Sequence, residues 1–396
     1  MCVNETVKKR NFLIRCRYGG ILPPSCGFVM YAVNDMMRDG NMRCIGEEIA
    51  ELDYVRKTLL GLAPFYFWPN DGNLGDYLIA ESTRQLFREW GISWKEYNPE
   101  VEPEEEEYNL VYGGGGRFVS HWGGIERLQL HLTRKLVRRC VILPHSIHNV
   151  DSFVKALDNR HVVFCRDLRT LFYCRGLNSK SLFVLAHDMG LALRWNQLPK
   201  LGNLPAPGCD AVSEAVDQYR ILTGWRAKAA LRGMRLATVR LPDNDRRIAF
   251  VLRTDKERCV HAQSAVAYDL SALYSASCRE TPYSAAMVRL MAECLMLPDV
   301  VVTDRLHVAI MAMLVGKEVY MLDNDYGKLS GVYEVSLKDN LNVHLLPPGE
   351  PWPEELLRAW KKLNAPLKRI EHWLMSPGYS SCWPRMKKNI KHLLGK

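Results

Sequence analysis

The sequence lacks several features that would place it in a common class directly. It has no CxxC pair, no glycine motif of the GxGxxG or Walker type, and no internal repeat of fixed period. Its 12 cysteines are scattered, many of them in apolar stretches, which is typical of reduced, buried thiols and argues against a disulfide framework or a zinc site. No cluster of metal ligands is visible, so we expect neither a metal nor a cofactor.

Long hydrophobic runs are also missing. A membrane-spanning helix needs about 18 to 20 consecutive apolar residues, and no stretch reaches that length. Near the N-terminus, an apolar stretch that follows several basic residues is broken by Gly19, Gly20, Pro23 and Pro24, which makes a poor signal peptide. We therefore expect a cytoplasmic protein. Residues 1–48 have weak periodicity and are interpreted as an extension outside the core fold that could be poorly ordered.

The composition is that of a globular chain with a moderate basic excess. With 396 residues, of which 47% are hydrophobic, the chain can bury a large core, and two domains are expected at roughly 100 to 200 residues per domain. The formal charge of +9 comes from 53 basic and 44 acidic residues spread along the chain. Such an excess suits nucleic acid, an anionic membrane face or a phosphorylated small molecule, and charge alone does not choose among them.

Short apolar strands alternate with amphipathic helices from residue 65 onward, which predicts an α/β fold of parallel sheets with helices on both faces. A cluster of Pro and Gly between residues 195 and 209 predicts the domain boundary. We therefore expect two Rossmann-like domains, 49–208 and 209–348, followed by a helical tail, 349–396, that packs back on the N-terminal domain. The predicted strands are 65–68, 109–112, 141–144, 162–165, 182–186, 248–252, 300–303 and 319–322, and the predicted helices are 77–90, 126–138, 212–232, 284–296 and 307–315.

Ligands of open parallel sheets bind at the carboxyl ends of the strands, so special residues at predicted strand ends are candidates for a site. The segment 70–76 (NDGNLGD) follows the first strand; Gly72 and Gly75 permit a tight turn, and Asp76 is placed to cap the next helix. A turn and a cap explain this segment without a ligand. Glycines 113–116 follow the second strand and let a ligand or another backbone approach, but they do not establish a nucleotide site.

The sharpest motif is VVVTDRLH at 300–307, a strand that runs straight into three polar residues and then into a helix. Arg305 offers a planar fork of donors that suits a carboxylate or a phosphate, and His307 would lie close to the helix start. A buried ion pair between Asp304 and Arg305 is the structural alternative.

Three further segments place polar groups at predicted strand ends. His145 comes just past a buried strand, where it is either a packing residue or a catalyst. The segment 323–330 (DNDYGKLS) carries hydroxyl and ammonium groups able to reach a phosphate or a sugar, although a turn would need its Asn, Asp and Gly in any case. Arg253, in LRTDKE at 252–257, could face the same cleft as Arg305.

Together these motifs resemble the polysaccharide pyruvyl transferase family. The resemblance spans roughly residues 69–334, and TDRLH and DNDYGKLSG, in that order and spacing, are its specific part. It implies a two-domain fold like that of GT-B glycosyltransferases, with phosphoenolpyruvate held between the domains and its pyruvate unit moved to a sugar. The motifs that carry it are GNLGD at Gly72, GGGG at Gly113, HSI at His145, LRTDKE at Leu252, TDRLH at Thr303 and DNDYGKLSG at Asp323.

The resemblance also implies roles for individual residues: Arg253, Arg305 and His307 serve the donor, and a histidine matching His145 lies in the cleft. Phosphoenolpyruvate carries a phosphate and a carboxylate, so its site needs at least two fixed cations, and Lys328 could add a third. An imidazole titrates near neutral pH and suits the acid that protonates the methylene carbon. The candidate catalytic residues are His307, Arg305 and His145, and the candidate substrate-binding residues are Arg253, Lys328, Tyr326, Ser330, Asp76, Asn73, Gly114 and Gly115.

Two other interpretations fit the same residues. One is a GT-B-type sugar-nucleotide glycosyltransferase that uses the glycine run for a diphosphate; the other is a non-catalytic glycan-binding component. We expect a sugar or lipid-linked oligosaccharide acceptor and no nucleic acid. The C-terminal segment 383–396 is basic and has no acid, so it could touch the inner face of an anionic membrane; a surface helix is the structural alternative.

Overall fold

A computed structural model gives the fold of most of the chain. It describes residues 53–99, 107–119, 125–133, 136–200, 213–255, 257–259, 268–273, 275–276, 282–323 and 327–374. The expected N-terminal extension 1–48, the candidate residue Tyr326 and the basic segment 383–396 lie outside the described residues.

The N-terminal half alternates strands with helices, as its sequence pattern predicts. Its helices are α1 (Asp53–Leu60), α2 (Leu74–Glu89), α3 (Ile125–Thr133), α4 (Asp151–Ala156) and α5 (Leu168–Leu177). Its strands are β1 (Phe65–Trp68), β2 (Gly72–Asn73), β3 (Trp94–Glu96), β4 (Tyr108–Tyr112), β5 (Gly115–Val119), β6 (Val137–His148), β7 (His161–Cys165) and β8 (Leu182–Leu185).

Seven of these strands form a single sheet within the described residues, in the order β3-β1-β4-β6-β7-β8 with β5 also paired to β6. Every pair is parallel. Because parallel strands need crossover connections, their carboxyl ends and the loops that follow them gather at one edge of the sheet. The short strand β2 is not part of this sheet.

The C-terminal half repeats the plan on a smaller scale. Its described strands are β9 (Thr238–Arg240), β10 (Arg247–Val251), β11 (Ser275–Ala276), β12 (Val300–Thr303), β13 (Glu318–Leu322) and β14 (Val343–Leu346). All of them except β11 form a sheet in the order β14-β13-β12-β10-β9, in which only the β9–β10 pair is antiparallel. The helices are α6 (Ser213–Leu236), α7 (Pro282–Leu295), α8 (Leu306–Leu314), α9 (Lys328–Ser336) and α10 (Glu354–Leu374).

The two halves meet through helices and through one small strand pair. Helix α2 contacts α7 and α8, and fully buried Leu78, Met291 and Ile310 of these three helices belong to one hydrophobic cluster. Strand β2 pairs with β11 of the other half, with Asn73 opposite Ser275. The carboxyl edges of the two sheets therefore lie close enough for their loops to exchange contacts.

Some predicted limits need correction. The helix expected at 126–138 ends at Thr133, and the strand expected at 141–144 is part of the longer β6, buried from Cys140 to Ile147. His145 thus lies within a strand and not after it. Pro144 cannot donate to a ladder, but the pairing of β6 with both neighbours shifts register here, so the strand continues past the proline.

The C-terminal tail also differs from expectation over its described part. The side chains of Leu356, Ala359 and Leu363 in α10 are buried against the second sheet, with Phe250 in the same cluster. The Trp360 ring lies 5.0 Å from that of Phe250, centroid to centroid. Large aromatic surfaces of the C-terminal sheet hold α10 there, and not on the N-terminal domain.

Neither a spanning helix nor a disulfide occurs in the part of the chain that the structure describes. No helix there combines the length and the apolar character needed to cross a membrane. The described cysteines, all buried and outside disulfides, are Cys140, Cys165, Cys174, Cys259 and Cys294.

Candidate active site

Arg305 and His307 lie where β12 runs into α8. Arg305 is the N-cap residue of the helix, and its buried guanidinium binds two carboxylates. Nε and Nη2 donate to Asp269 at 2.9 and 2.5 Å, and Nη2 also donates to Asp255 at 2.9 Å. The two-pronged contact with Asp269 fixes the plane of the guanidinium.

Asp304 is not the partner of Arg305, contrary to the structural alternative. Its two carboxylate oxygens accept the backbone N–H groups of Arg253 at 2.8 Å and of Cys259 at 2.9 Å. Burial raises the pKa of Asp304, and these N–H donors together with the charges of Arg253 and Arg305 oppose the shift. Asp304 therefore fastens the loop after β10 to the start of α8.

Arg253 lies beside Arg305 and shares a carboxylate with it. Its Nε and Nη2 donate to Asp255 at 2.8 and 3.0 Å, and Nη2 lies 2.6 Å from Glu257. Burial alone would raise the pKa of Asp255, but the hydrogen bond and charge of Arg253 and the charge of Arg305 outweigh it, so the pKa is lowered. Asp255 is therefore an ionised bridge between the two arginines.

Lys328 begins α9 and connects this arginine pair to the first sheet. Its ammonium lies 3.0 Å from Glu257 and faces Gly116 on the other side. A Cβ at Gly116 would lie 3.4 Å from Lys328 Nζ and 2.6 Å from Nη2 of Arg166, so the glycine lets both cations approach its backbone. Burial lowers the pKa of Lys328, and Glu257 opposes that shift.

His307 is the second residue of α8 and reaches across to the first sheet. Its Nε2 lies 3.5 Å from Oδ2 of Asp188, while its Nδ1 has no hydrogen-bond partner among the described residues. The ring packs against Gly75, where a Cβ would lie only 2.7 Å from Nδ1. A glycine is needed at this position because any side chain would displace the imidazole.

Arg166 and Asp188 belong to the site and were missed by sequence reasoning. Arg166 directly follows β7 and is 1% exposed; Asp188 follows β8 and is 0% exposed. Arg166 Nη1 donates to Asp188 at 2.7 Å. Their position could have indicated the site, since both residues come within three positions of the end of a predicted strand. Ligand-binding side chains of parallel sheets gather at these carboxyl ends.

Asn73 and Asp76 form the start of α2. Asn73, not Asp76, is the N-cap: its side chain accepts the N–H of Gly75 at 2.8 Å, while Oδ2 of Asp76 accepts the N–H of Asn73 at 2.9 Å. This reciprocal arrangement is a capping box and explains why α2 begins at Leu74, earlier than expected. Burial raises the pKa of Asp76, and the charges of His307, Lys328 and Arg166 oppose that shift.

The first glycines of the run 113–116 allow close backbone packing, and the last one lies against two cationic side chains. A Cβ at Gly114 would lie 2.8 Å from the carbonyl oxygen of Pro144, and Gly115 has a positive φ of 148°. Both glycines are therefore required by local geometry. Gly116 is the member of the run that faces Arg166 and Lys328.

His145 is fully buried beneath this run, and its ring stacks on that of Phe118 at 4.0 Å. Neither ring nitrogen has a hydrogen-bond partner in the described part of the protein. Burial and the charge of Arg166 lower the pKa of His145 well below its ordinary value, against opposing effects of the Gly113 backbone and the charge of Asp188. The imidazole is therefore neutral, and the Gly113 backbone near it does not meet the geometry of a hydrogen bond.

Ser330 lies in the first turn of α9. Its hydroxyl donates to the carbonyl oxygen of Gly327 at 3.0 Å, and its N–H donates to Asp323 at 3.2 Å. Gly327 has a φ of 71°, a left-handed conformation that glycine adopts without strain. In this structure Ser330 supports the turn that presents Lys328.

The site thus combines four cationic side chains with an imidazole. Arg166, Arg253, Arg305 and Lys328 supply fixed positive charge, each held by a carboxylate of the protein. Among the described residues, no group of three or more His, Cys, Asp or Glu side chains is arranged to hold a metal ion. Side chains of this kind can stabilise negative charge and exchange a proton beside it.

The family follows from comparison with known proteins. The family model described as polysaccharide pyruvyl transferase matches residues 73–326, more than half of the chain, and this range includes the motifs around Asn73, His145, Arg253 and Arg305. The chain belongs to the polysaccharide pyruvyl transferase family. Membership establishes a transferase of pyruvyl groups acting in polysaccharide biosynthesis.

A solved structure supports the fold. A functionally uncharacterised protein of Klebsiella pneumoniae subsp. pneumoniae NTUH-K2044 superposes with a TM-score of 0.55 at 24% identity, covering 74% of this chain and 96% of that one. At this identity the likeness concerns the fold alone. No curated protein matches the chain significantly.

Proposed function

We propose that this protein transfers the pyruvate unit of phosphoenolpyruvate to a sugar of a polysaccharide or lipid-linked glycan precursor, forming a ketal and releasing phosphate. The observation that carries the proposal is a pair of contact networks that approach each other at Gly116. One joins His307 through Asp188 to Arg166, the other joins Lys328 through Glu257, Arg253 and Asp255 to Arg305, and the side chains of Arg166 and Lys328 both lie close to Gly116. Cations and imidazole therefore share one region at the edges of both sheets.

The donor supplies two anionic groups, and the site supplies paired guanidinium groups. Arg253 and Arg305 both contact a carboxylate, that of Asp255, so the same pair can grip the carboxylate or phosphate of phosphoenolpyruvate. Each charge-assisted hydrogen bond contributes about 1.5–3 kcal/mol. Donor binding requires Asp255 to give up contacts with the two arginines, so its carboxylate competes with the donor.

In the proposed reaction His307 acts as general acid. It gives a proton to the methylene carbon of phosphoenolpyruvate, which becomes a methyl group and leaves an oxocarbenium-like C2. One sugar hydroxyl attacks C2 and returns its proton to His307; a second hydroxyl attacks the same carbon, the C2–O bond to phosphate breaks, and that hydroxyl proton leaves with the phosphate. Arginine and lysine stabilise the charge on the departing phosphate, and no cofactor takes part.

His145 is assigned a supporting role behind the donor site in this proposal, because its ring is fully buried. Its two unpaired buried nitrogens are an arrangement that native proteins rarely tolerate without a purpose, and its ring lies beneath the glycine run that faces Arg166 and Lys328. Tyr326 and Ser330 are assigned to substrate binding, where their hydroxyl groups could reach a phosphate or a sugar hydroxyl. The facing edges of the two sheets support a GT-B-like arrangement in which donor and acceptor meet between the halves.

A thermal-shift titration followed by a phosphate-release assay tests the function. A ligand at 100 times its Kd stabilises the folded state by about 2.7 kcal/mol, so we expect phosphoenolpyruvate to raise Tm while UDP and GDP leave it unchanged. Phosphate release should then require both phosphoenolpyruvate and a sugar acceptor from a panel. Stabilisation by UDP or GDP alone would favour a glycosyltransferase, and no release with any acceptor would favour a glycan-binding component.

A vesicle-sedimentation experiment tests whether the protein binds the membrane, where a lipid-linked acceptor would be found. A lipid-linked acceptor resides in an anionic bilayer, and the basic segment 383–396 offers complementary charge. We expect the full chain to sediment with vesicles containing phosphatidylserine at low salt and a chain ending at Pro377 to remain in the supernatant. Equal sedimentation of both chains would remove the segment from the proposal.

A further inference from the structure

His307 is oriented by a carboxylate that belongs to the opposite sheet. Asp188 follows β8 of the first sheet, whereas His307 begins α8 beside the second, and the two side chains meet with Nε2 at 3.5 Å from Oδ2. We propose that Asp188 is the positioning residue of His307. Its carboxylate accepts a hydrogen bond from Nε2–H and leaves Nδ1 as the nitrogen that exchanges a proton with the substrate. The inference rests on the proposed function, in which His307 is the general acid.

The Asp188 carboxylate is fixed by groups other than His307. Its Oδ1 accepts the N–H of Gly190 at 2.8 Å, and its Oδ2 accepts Nη1 of Arg166 at 2.7 Å. Arg166 is held in turn by Ser146, whose hydroxyl accepts its Nε at 2.9 Å. With Asp188 fully buried, the carboxylate cannot turn away without breaking these bonds, so it presents one oxygen to the imidazole in advance of substrate binding.

Ionisation of Asp188 decides which nitrogen of His307 carries the proton. Burial alone would raise the pKa of Asp188, but the charge and hydrogen bond of His307 and the charge of Arg166 outweigh burial and hold the pKa below its ordinary value. An ionised carboxylate is an acceptor only. The ring nitrogen that faces it must therefore be the N–H nitrogen, which is Nε2.

The second nitrogen of the ring is left available. Nδ1 has no hydrogen-bond partner in the described residues, and the ring is flanked by two glycines: a Cβ at Gly75 would lie 2.7 Å from Nδ1, and one at Gly190 would lie 3.8 Å from Cδ2. An imidazole with one nitrogen bound to a fixed carboxylate and the other free is the arrangement by which general acids and bases are oriented.

A purely structural role for Asp188 makes a different prediction. In that case Asp188 only neutralises Arg166 and caps the short 3₁₀ helix Met189–Ala192, and the His307 tautomer does not depend on it. The tautomer therefore separates the two roles independently of activity.

The first measurement uses the wild-type protein. Histidine-labelled ¹⁵N protein is titrated upward in pH until the rings are neutral, and long-range ¹H–¹⁵N correlations report which nitrogen keeps the proton; the His307 signals are identified by their loss in His307→Gln. We expect the proton on Nε2. A proton on Nδ1 would overturn the proposal without recourse to a variant of Asp188.

The second measurement compares Asp188→Asn with Asp158→Asn. Asp158 also contacts a histidine, with its Oδ1 at 2.8 Å from Nδ1 of His161, but it lies at the opposite end of β7 from Arg166 and makes no contact with His307. In Asp188→Asn we expect loss of the Nε2–H preference and a drop of about 10²-fold in kcat with KM for phosphoenolpyruvate within about twofold. Asp158→Asn should keep the His307 tautomer and kcat.

The outcomes distinguish this inference from the function on which it rests. If Asp188→Asn keeps both the tautomer and kcat, Asp188 has only the structural role. If His307→Gln releases phosphate at the wild-type rate, the proposed role of His307 in catalysis is wrong, whatever the tautomer. If Asp188→Asn does not fold, a proton found on Nδ1 of wild-type His307 still overturns the proposal.

Discussion

Arg253 and Arg305 lie close enough to share one carboxylate, since Nε of Arg253 and Nη2 of Arg305 both donate to Asp255, at 2.8 and 2.9 Å. They follow the neighbouring parallel strands β10 and β12. A donor anion that binds two guanidinium groups would find them already side by side. The Asp255 carboxylate, however, occupies the position between them that the anion would take.

Neutralising that carboxylate should strengthen donor binding. Asp255→Asn removes a negative charge that competes with phosphoenolpyruvate for both arginines, and we expect Kd for the donor to fall by about tenfold, or about 1.4 kcal/mol, by calorimetric titration. Asp299→Asn is the matched control, because Asp299 also binds an arginine in two-pronged fashion, Arg247, at the opposite end of β10. Weaker binding in Asp255→Asn would mean that Asp255 aligns the arginines for the donor.

Replacing Arg305 by lysine should keep the charge and lose the function. Arg305→Lys cannot reproduce the two-pronged contact with Asp269, so we expect kcat/KM for phosphoenolpyruvate to fall by about 10²-fold and the free energy of unfolding to fall by about 1–3 kcal/mol. Phosphate release and urea unfolding measure the two effects. Arg247→Lys, a change in an exposed ion pair, should alter neither by much; a wild-type kcat/KM in Arg305→Lys would exclude Arg305 from the donor site.

Strand ends were the part of the site that the sequence could predict. The alternation of apolar runs with helices places Arg253 and Arg305 on neighbouring strand ends, and their contact follows from parallel pairing. The sequence does not predict the role of Arg166, because a single charged residue after an apolar run is ordinarily exposed, and only the fold reveals that it is 1% exposed. The same holds for its partner Asp188.

Contacts between distant segments could not be predicted. Asp269 lies in a stretch without periodicity, yet it binds Arg305, 36 positions away. The apolar run 141–144 predicts a strand that ends before His145, whereas a register shift in β6 lets the strand continue past it. Local patterns determine where elements form, but side-chain partners across a sheet edge depend on the packing of the two halves.

The ion pair of Arg247 and Asp299, far from the site, should make the stability of the folded protein depend on pH in the acid range. Hydrogen bonds from the Arg247 side chain lower the pKa of Asp299 to about 2, below the value of about 3.9 for an unfolded chain. A depressed carboxyl pKa stabilises the folded state above the unfolded pKa, and that contribution is lost as pH falls from about 4 towards 2.

We expect Asp299→Asn to lower the free energy of unfolding at pH 6 by less than about 1 kcal/mol, because the pair is exposed. Tm should fall accordingly. The difference from wild type should shrink as pH falls below about 4. Glu350→Gln, which removes an exposed carboxylate without an ion pair in the described structure, should show no such pH dependence. A Tm difference that is constant from pH 6 to pH 3 would contradict the assignment.

The glycine beneath His307 offers the most direct test of the imidazole's position. In Gly75→Ala the new Cβ would lie 2.7 Å from Nδ1 and 2.9 Å from Cβ of His307, so the ring must move, and we expect phosphate release to slow by about 10²-fold in a folded protein. Gly176→Ala is the matched control, because this glycine is also helical and nothing lies within 4 Å of its added Cβ; it should keep the rate and gain about 0.4–1 kcal/mol of stability. A wild-type rate in Gly75→Ala would show that the position of the His307 ring does not limit the reaction.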